Sequence, residues 1–317
     1  MKEVRGQVGS EAADEVRGQA RSHQDGSYNP QQIAQYYDSN TARFLSLGGS
    51  GDVAAIHRAI WAPGVTTQAQ AFGFLNQLVA NALQPALPEE TGAARVLDLG
   101  CGVGGTATLV AQTLDVHVTG ITLSPAQVQL AQQRAEALGL ASRVRFALGS
   151  FSAMPELPAS HGAYAIESFV HADDAAGFFT MAAKHLLPGA RLVLCDDFLN
   201  PPHTAEAKAC VARFRRGWHL NTLLSEEDTC ALAQSAGFRL VEVQDLSAHL
   251  RGFHPLLLWA VSTLTRVPLP WAYWHNLAGG TALQRCVKNG WTRYLALVFE
   301  KTESAEQVLE TPVPAEE

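Results

Sequence analysis

The chain has 317 residues, 47% of them apolar and only 17% charged, enough to bury the core of one large domain or two modest ones. Its formal net charge of −7 argues against a nucleic-acid partner, which needs a basic face to displace counterions. Five scattered cysteines, none in a C-x-x-C pair, fit reduced thiols in a cytoplasmic protein rather than a disulfide frame or a zinc site.

Residues 1–27 are polar, lack the apolar stretch of a signal peptide and read as a disordered tail. From Tyr28 to about residue 90 the pattern is that of a helical cap: "NPQQIAQYYDSNTARFLSL", then "VAAIHRAIWAPG", then "TTQAQAFGFLNQLVANALQ", with "LPEETGAA" as the linker out. The period then changes. Strands are expected at 95–100, 116–122, 143–149, 163–168 and 190–198, with helices at 104–114, 124–140 and 174–189 between them. Ser124 serves as N-cap and Pro125 as first helical residue of the second helix. Such alternation means a mostly parallel sheet with helices on both faces, and strands at 239–246 and 293–301 bring the total to seven. The late stretch "HPLLLWAVSTLTRVPLPWAYW" is interrupted by Arg266, Pro268 and Pro270 and is too short to span a membrane. The insertion that contains it, 247–292, is expected to be buried or to line a pocket. The tail 302–317 is expected to be loose.

The first strand runs into "VLDLGCGVGG". Gly100, Gly102 and Gly104 suit a turn where backbone approaches a ligand closely and a helix starts tightly. Asp98, two residues before the first glycine, is placed to face an ammonium group. Glu167, in "YAIESFVHADD", stands at the carboxyl end of the fourth strand, where ligands of such sheets bind. It suits either a general base or a partner for positive charge formed in a reaction. His171 stays open between second base, phosphate or metal contact, and helix-start residue. Among the aromatics that would cap a pocket, Trp218 in "RGWHLNT" is the first candidate, with Phe169 beside Glu167.

From about residue 90 to 200 the chain resembles the class I S-adenosylmethionine-dependent methyltransferases, which implies a Rossmann-like domain here over 91–301. In that family the Asp-x-Gly-x-Gly-x-Gly turn binds the amino-acid end of the cofactor. The resemblance therefore implies Asp98, Gly100, Cys101, Gly102 and Gly104 as contacts. "GITLSPAQ" places Thr122 where most relatives have an acid. That is similar to the branch of sterol, cyclopropane-fatty-acid and prenyl-diphosphate C-methyltransferases, and implies ribose contacts from Thr122, Leu123 and Gln127. Ser150 and Phe151 fall at the adenine position, without the usual Asp. "YYDSNT" resembles the N-terminal tyrosine segment of that branch, which implies Tyr37 over the cofactor and Tyr36 toward the acceptor.

On this resemblance the expected reaction is methylation of an alkene carbon in a small isoprenoid acceptor. The resulting carbocation would lose its proton to Glu167. A diphosphate on the acceptor would call on His57, Arg58, Arg216 and His219, and on Mg²⁺, for which no ligand set is evident. O- or N-methylation with Glu167 or His171 as base is the alternative, and a cofactor-binding protein without transfer is a further one. A homo-oligomer is compatible with the sequence.

Overall fold

The computed structural model describes residues 28–47, 56–201, 204–265 and 272–303. The expected tail 1–27 and nearly all of the tail 302–317 lie outside these residues. Nine α-helices are found among the described residues: α1 (Pro30–Leu47), α2 (Gln68–Leu83), α3 (Gly105–Leu114), α4 (Pro125–Ala137), α5 (Ala175–His185), α6 (Ala205–Trp218), α7 (Glu226–Ser235), α8 (Pro255–Leu264) and α9 (Ala272–Lys288). The strands are β1 (Arg95–Leu99), β2 (His117–Thr122), β3 (Val144–Leu148), β4 (Ser160–Ile166), β5 (Leu186–Leu199), β6 (Phe238–Asp245) and β7 (Thr292–Lys301).

They form one seven-stranded sheet in the order β3-β2-β1-β4-β5-β7-β6. β1 to β5 pair in parallel, and β7 runs antiparallel between β5 and β6. This is the Rossmann-like arrangement that the alternating pattern implies. The chain direction across the sheet switches between β1 and β4, which opens a crevice beyond their carboxyl ends.

Strand periodicity builds the two cores. Successive side chains point to opposite faces. Val96, Val118, Tyr164, Val193, Tyr294, Ala296 and Val298 therefore pack with α2 and α3 on one side. Leu97, Ala163, Leu192, Leu194, Leu295, Leu297 and Phe299 pack with α5 and α7 on the other. Local caps agree with the pattern: Ser124 accepts from the Gln127 N–H, and Thr67 with Gln70 makes a capping box on α2.

Two expectations change. In the helix expected across "VAAIHRAIWAPG", residues 53–55 lie outside the described residues, and 56–64 form an irregular segment. Its backbone donors go to distant partners: Arg58 N–H to Glu167, Ile60 N–H to the Ala71 carbonyl, and Trp61 N–H to the His249 carbonyl. Pro63 and Gly64 then stop any helix. The described part of the insertion does not line the main cavity. Its α9 instead packs behind α6 through Leu283, Ala282 and Cys286 against Cys210, Val211 and Phe214. On α8, Leu256 and Trp259 face outward. Among the described residues no helix is long and apolar enough to cross a membrane.

Candidate active site

The main cavity sits over the carboxyl ends of β1, β2, β4 and β5 and is roofed by α1 and the end of α6. Its cofactor side begins at the glycine turn. Gly100, Gly102 and Gly104 have φ of 97°, 52° and 78°, in the left-handed region. A Cβ on Gly100 would lie 2.4 Å from the Ser168 Cβ, and one on Gly104 2.5 Å from the Phe146 ring. The turn thus holds backbone where no side chain fits. Beneath it Asp98 is 3% exposed, and Tyr164 donates to its Oδ2 at 2.9 Å. Burial raises Asp98 to about 7, with the Tyr164 hydrogen bond opposing, and no ion pair among the described residues reaches it.

The end of β2 supplies the next polar group. Thr122 donates to Gln127 Oε1 at 2.7 Å, and Gln127 Nε2 donates to Thr41 at 3.1 Å. Ser124 donates to Asp38. Thr122, Leu123, Gln127, Ser150 and Phe151 all line the cavity. The sequence reading missed Asp38 and Thr41. They lie one and four residues beyond Tyr37, and the helical spacing of "YYDSNT" is the signal that would have found them.

On the acceptor side Glu167 has φ 50°, unusual for a non-glycine residue and found here at a strand end facing the cavity. Its Oε1 accepts three hydrogen bonds, from Arg58 N–H at 2.9 Å, Arg58 Nε at 3.0 Å and the Tyr294 hydroxyl at 2.9 Å. The other end of the same guanidinium grips Asp197 through both oxygens, at 3.2 and 2.7 Å, and lies 4.0 Å over the Tyr294 ring. Burial pushes Glu167 up, but Arg58 outweighs it and holds the carboxyl below its ordinary range. Asp197 is raised to about 6 by burial, against Arg58. Asp196 is pushed well up by burial and by the charge of Asp197.

His171 completes this side. Its Nδ1 lies 3.1 Å from the His219 carbonyl and its Nε2 2.7 Å from the Tyr37 hydroxyl. A carbonyl only accepts, so Nδ1 carries the proton and Nε2 offers its lone pair, to which Tyr37 donates. Burial lowers His171 to about 4 and leaves it neutral near pH 7.

A model described as a methyltransferase domain matches residues 96–189. The O-methyltransferase rstn1 of Aspergillus nomiae is 39% identical over 153 residues, 48% of this chain and 67% of that protein. The O-methyltransferase cnsE of Penicillium expansum is 32% identical over 225 residues, 70% of this chain and 77% of that one. The chain is a class I S-adenosylmethionine-dependent methyltransferase. Two further fungal O-methyltransferases match over 62% and 59% of their lengths. A solved geranyl diphosphate methyltransferase shares the fold, with a TM-score of 0.66 at 17% identity, covering 86% of this chain and 98% of that one.

The methyltransferase's residues fit the cofactor. The turn leaves room only for backbone beside a ligand, and Asp98 is a buried carboxylate to which an ammonium group would be complementary. Its pKa gives a pH dependence with a definite sign. A carboxyl raised to about 7 stabilises the cofactor-free fold below its unfolded value near 4, and that contribution is lost as pH rises through 7. Cofactor affinity should therefore climb about tenfold per pH unit below 7 and level off above it. Asp98→Asn should flatten this calorimetric profile while raising the melting temperature of the cofactor-free protein at pH 8. Gly100→Ala should weaken cofactor binding by at least about tenfold, since its Cβ must displace Ser168 from a strained φ. Equilibrium dialysis with labelled cofactor would reveal it.

The methyltransferase brings some of the other expected contacts to the cavity and leaves others outside it. Tyr36, Tyr37, His57 and Trp218 line the cavity with Glu167 and His171. Phe169 does not: it is 1% exposed and packs on Phe178 and Phe179, because it turns into the core beneath β4. Cys101 and Gly104 belong to the turn but lie outside the cavity lining, as does Asp98 under it. Arg216 points outward, since Val211, Phe214 and Trp218 take the inner face of α6. His219 stands behind His171, and Arg58 is already bound to two carboxylates. No Lys or Arg lines the cavity among the described residues. Nor does any group of three His, Cys, Asp or Glu there have metal-holding geometry, so the conditional Mg²⁺ finds no ligand set.

Asp196, Asp197 and Tyr294 were missed by the sequence reading. "CDDF" ends a strand beside Glu167, but pairing of Asp197 with Tyr294 across β5 and β7 is a matter of register.

Proposed function

We propose that this methyltransferase methylates a hydroxyl oxygen of a small, uncharged, lipophilic acceptor, with His171 as the proton acceptor. The neutral His171 imidazole carries the reading, with its Nδ1–H on the His219 carbonyl and its Nε2 lone pair toward the Tyr37 hydroxyl. S-adenosylmethionine, when bound, supplies an electrophilic methyl group. The chain's own residues orient the acceptor and manage its proton. An acceptor hydroxyl that takes the place of the Tyr37 hydroxyl at Nε2 hands its proton to a neutral imidazole. Glu167, kept ionised by Arg58, then favours the imidazolium so formed, and its charge already acts upward on the His171 pKa.

Three observations support an uncharged hydroxylated acceptor. Ile33, Ile56, Val170, Phe214, Trp218 and Leu220 give the cavity apolar walls. Among the described residues its lining offers carboxylates but no Lys or Arg to meet a diphosphate. The relatives reported above are named as O-methyltransferases. C-methylation of an isoprenoid, with Glu167 taking the proton, asks a carboxylate whose Oε1 already accepts from Arg58 N–H, Arg58 Nε and the Tyr294 hydroxyl to act as a base. Incubation with labelled cofactor and a panel of phenols, alcohols and prenyl diphosphates, followed by NMR of the products, tests the reading. A new O–CH₃ resonance is expected, and methyl on carbon would overturn it.

A further inference from the structure

We propose that His219, which does not line the cavity, is a positioning residue whose main-chain carbonyl fixes the tautomer of His171. The inference rests on reading His171 as the proton acceptor. α6 ends at Trp218, and His219 caps it with φ 55° and ψ 45°, a left-handed conformation that aims its carbonyl at His171 Nδ1, 3.1 Å away. For a residue with a Cβ this left-handed conformation is strained, so glycine would suit the backbone better.

The surroundings hold that backbone in place. Asn221 N–H and Thr222 N–H both donate to the Val170 carbonyl, at 3.0 and 2.9 Å. The Thr222 hydroxyl donates to the Ala172 carbonyl at 2.8 Å, and Asn221 Nδ2 to the His171 carbonyl at 3.2 Å. The segment after α6 is thus pinned along 170–172, and the His219 carbonyl has little freedom to leave Nδ1. The His219 ring lies against Tyr28 and Tyr36, at 4.3 and 4.7 Å, and its own Nδ1 is buried without a partner. One residue therefore joins the α1 roof to the orientation of the base. The groups facing His171 are Tyr37, Glu167 and His219 itself.

Two-bond ¹H–¹⁵N correlation spectra of the ¹⁵N-histidine-labelled full chain test this, with His171 assigned by its absence from a His171→Gln spectrum. The expected wild-type signature is the Nδ1–H tautomer, retained in His219→Gly, which accepts the left-handed conformation. His219→Val, which resists it, should show mixed tautomers and a kcat lowered about tenfold or more. An Nε2–H signature in the wild type would overturn the proposal even if the Val variant fails to fold. So would a folded Val variant with the tautomer and pH profile unchanged. An Nδ1–H wild type that transfers no methyl to oxygen would instead overturn the reading of His171 as base and leave the positioning intact.

Discussion

His171→Ala is expected to lower kcat by about 10²–10⁴-fold, the usual contribution of a positioned general base, and to leave cofactor affinity within a few-fold. His171 faces the acceptor side of the cavity, whereas the glycine turn, Thr122 and Gln127 lie on the cofactor side. The wild-type rate should stay flat down to mildly acidic pH and fall only as His171, lowered to about 4 by burial, takes its proton. That limb should vanish in the variant. Stability gives an independent check. A histidine with a depressed folded pKa contributes stability that is full above its unfolded value near 6.5 and is lost as pH falls toward 4. Single-turnover rates and denaturant midpoints between pH 4 and 8 measure both. A variant that keeps wild-type kcat at pH 7 would remove His171 from the chemistry.

Arg58→Met should destabilise the fold by about 3–5 kcal/mol at pH 7.5, since removing one partner leaves buried charge uncompensated. Both Glu167 and Asp197 lose their cation, and the Glu167 Oε1 loses the Arg58 Nε donor while keeping the main-chain N–H of residue 58 and the Tyr294 hydroxyl. In the wild type the depressed Glu167 pKa contributes stability above its unfolded value, and this is lost as pH falls through the lowered folded value. The variant has no such contribution to lose. Its deficit should shrink as pH drops below about 5, where the freed carboxyls take up protons. Arg58→Lys should recover only part of the loss, because an ammonium cannot reach two carboxylates through one planar fork. Urea titrations at pH 4.5 and 7.5 compare the deficits, and equal values at the two pH values would count against the ion-pair account.

Much of this was legible in the residues because it depends on local order. Alternation along "RYLALVFEK" reads directly as a two-faced strand, and the structure sends Tyr294, Ala296 and Val298 one way and Leu295, Leu297 and Phe299 the other. "DLGCGVGG" names its own backbone conformation, since three glycines at that spacing suit left-handed turns. Arg58 was different. Its neighbours in "IHRAIW" suggest a helix, yet its partners Glu167 and Asp197 lie 109 and 139 residues away. Nothing local distinguishes a diphosphate-binding arginine from one committed to two carboxylates. Phe169 likewise sits beside Glu167 in the chain, but a short turn after β4 sends its ring into the core.

By itself, then, the sequence determined the sheet, the glycine turn, and the placing of Glu167 and His171 after the fourth strand. These follow from periodicity and backbone sterics, which act within a few residues. Only the tertiary structure decided which groups are charged and which are free to react. Burial and long-range partners set that: Arg58 locks Glu167 as a carboxylate, and burial leaves His171 neutral against the upward pull of the His219 carbonyl on its Nδ1.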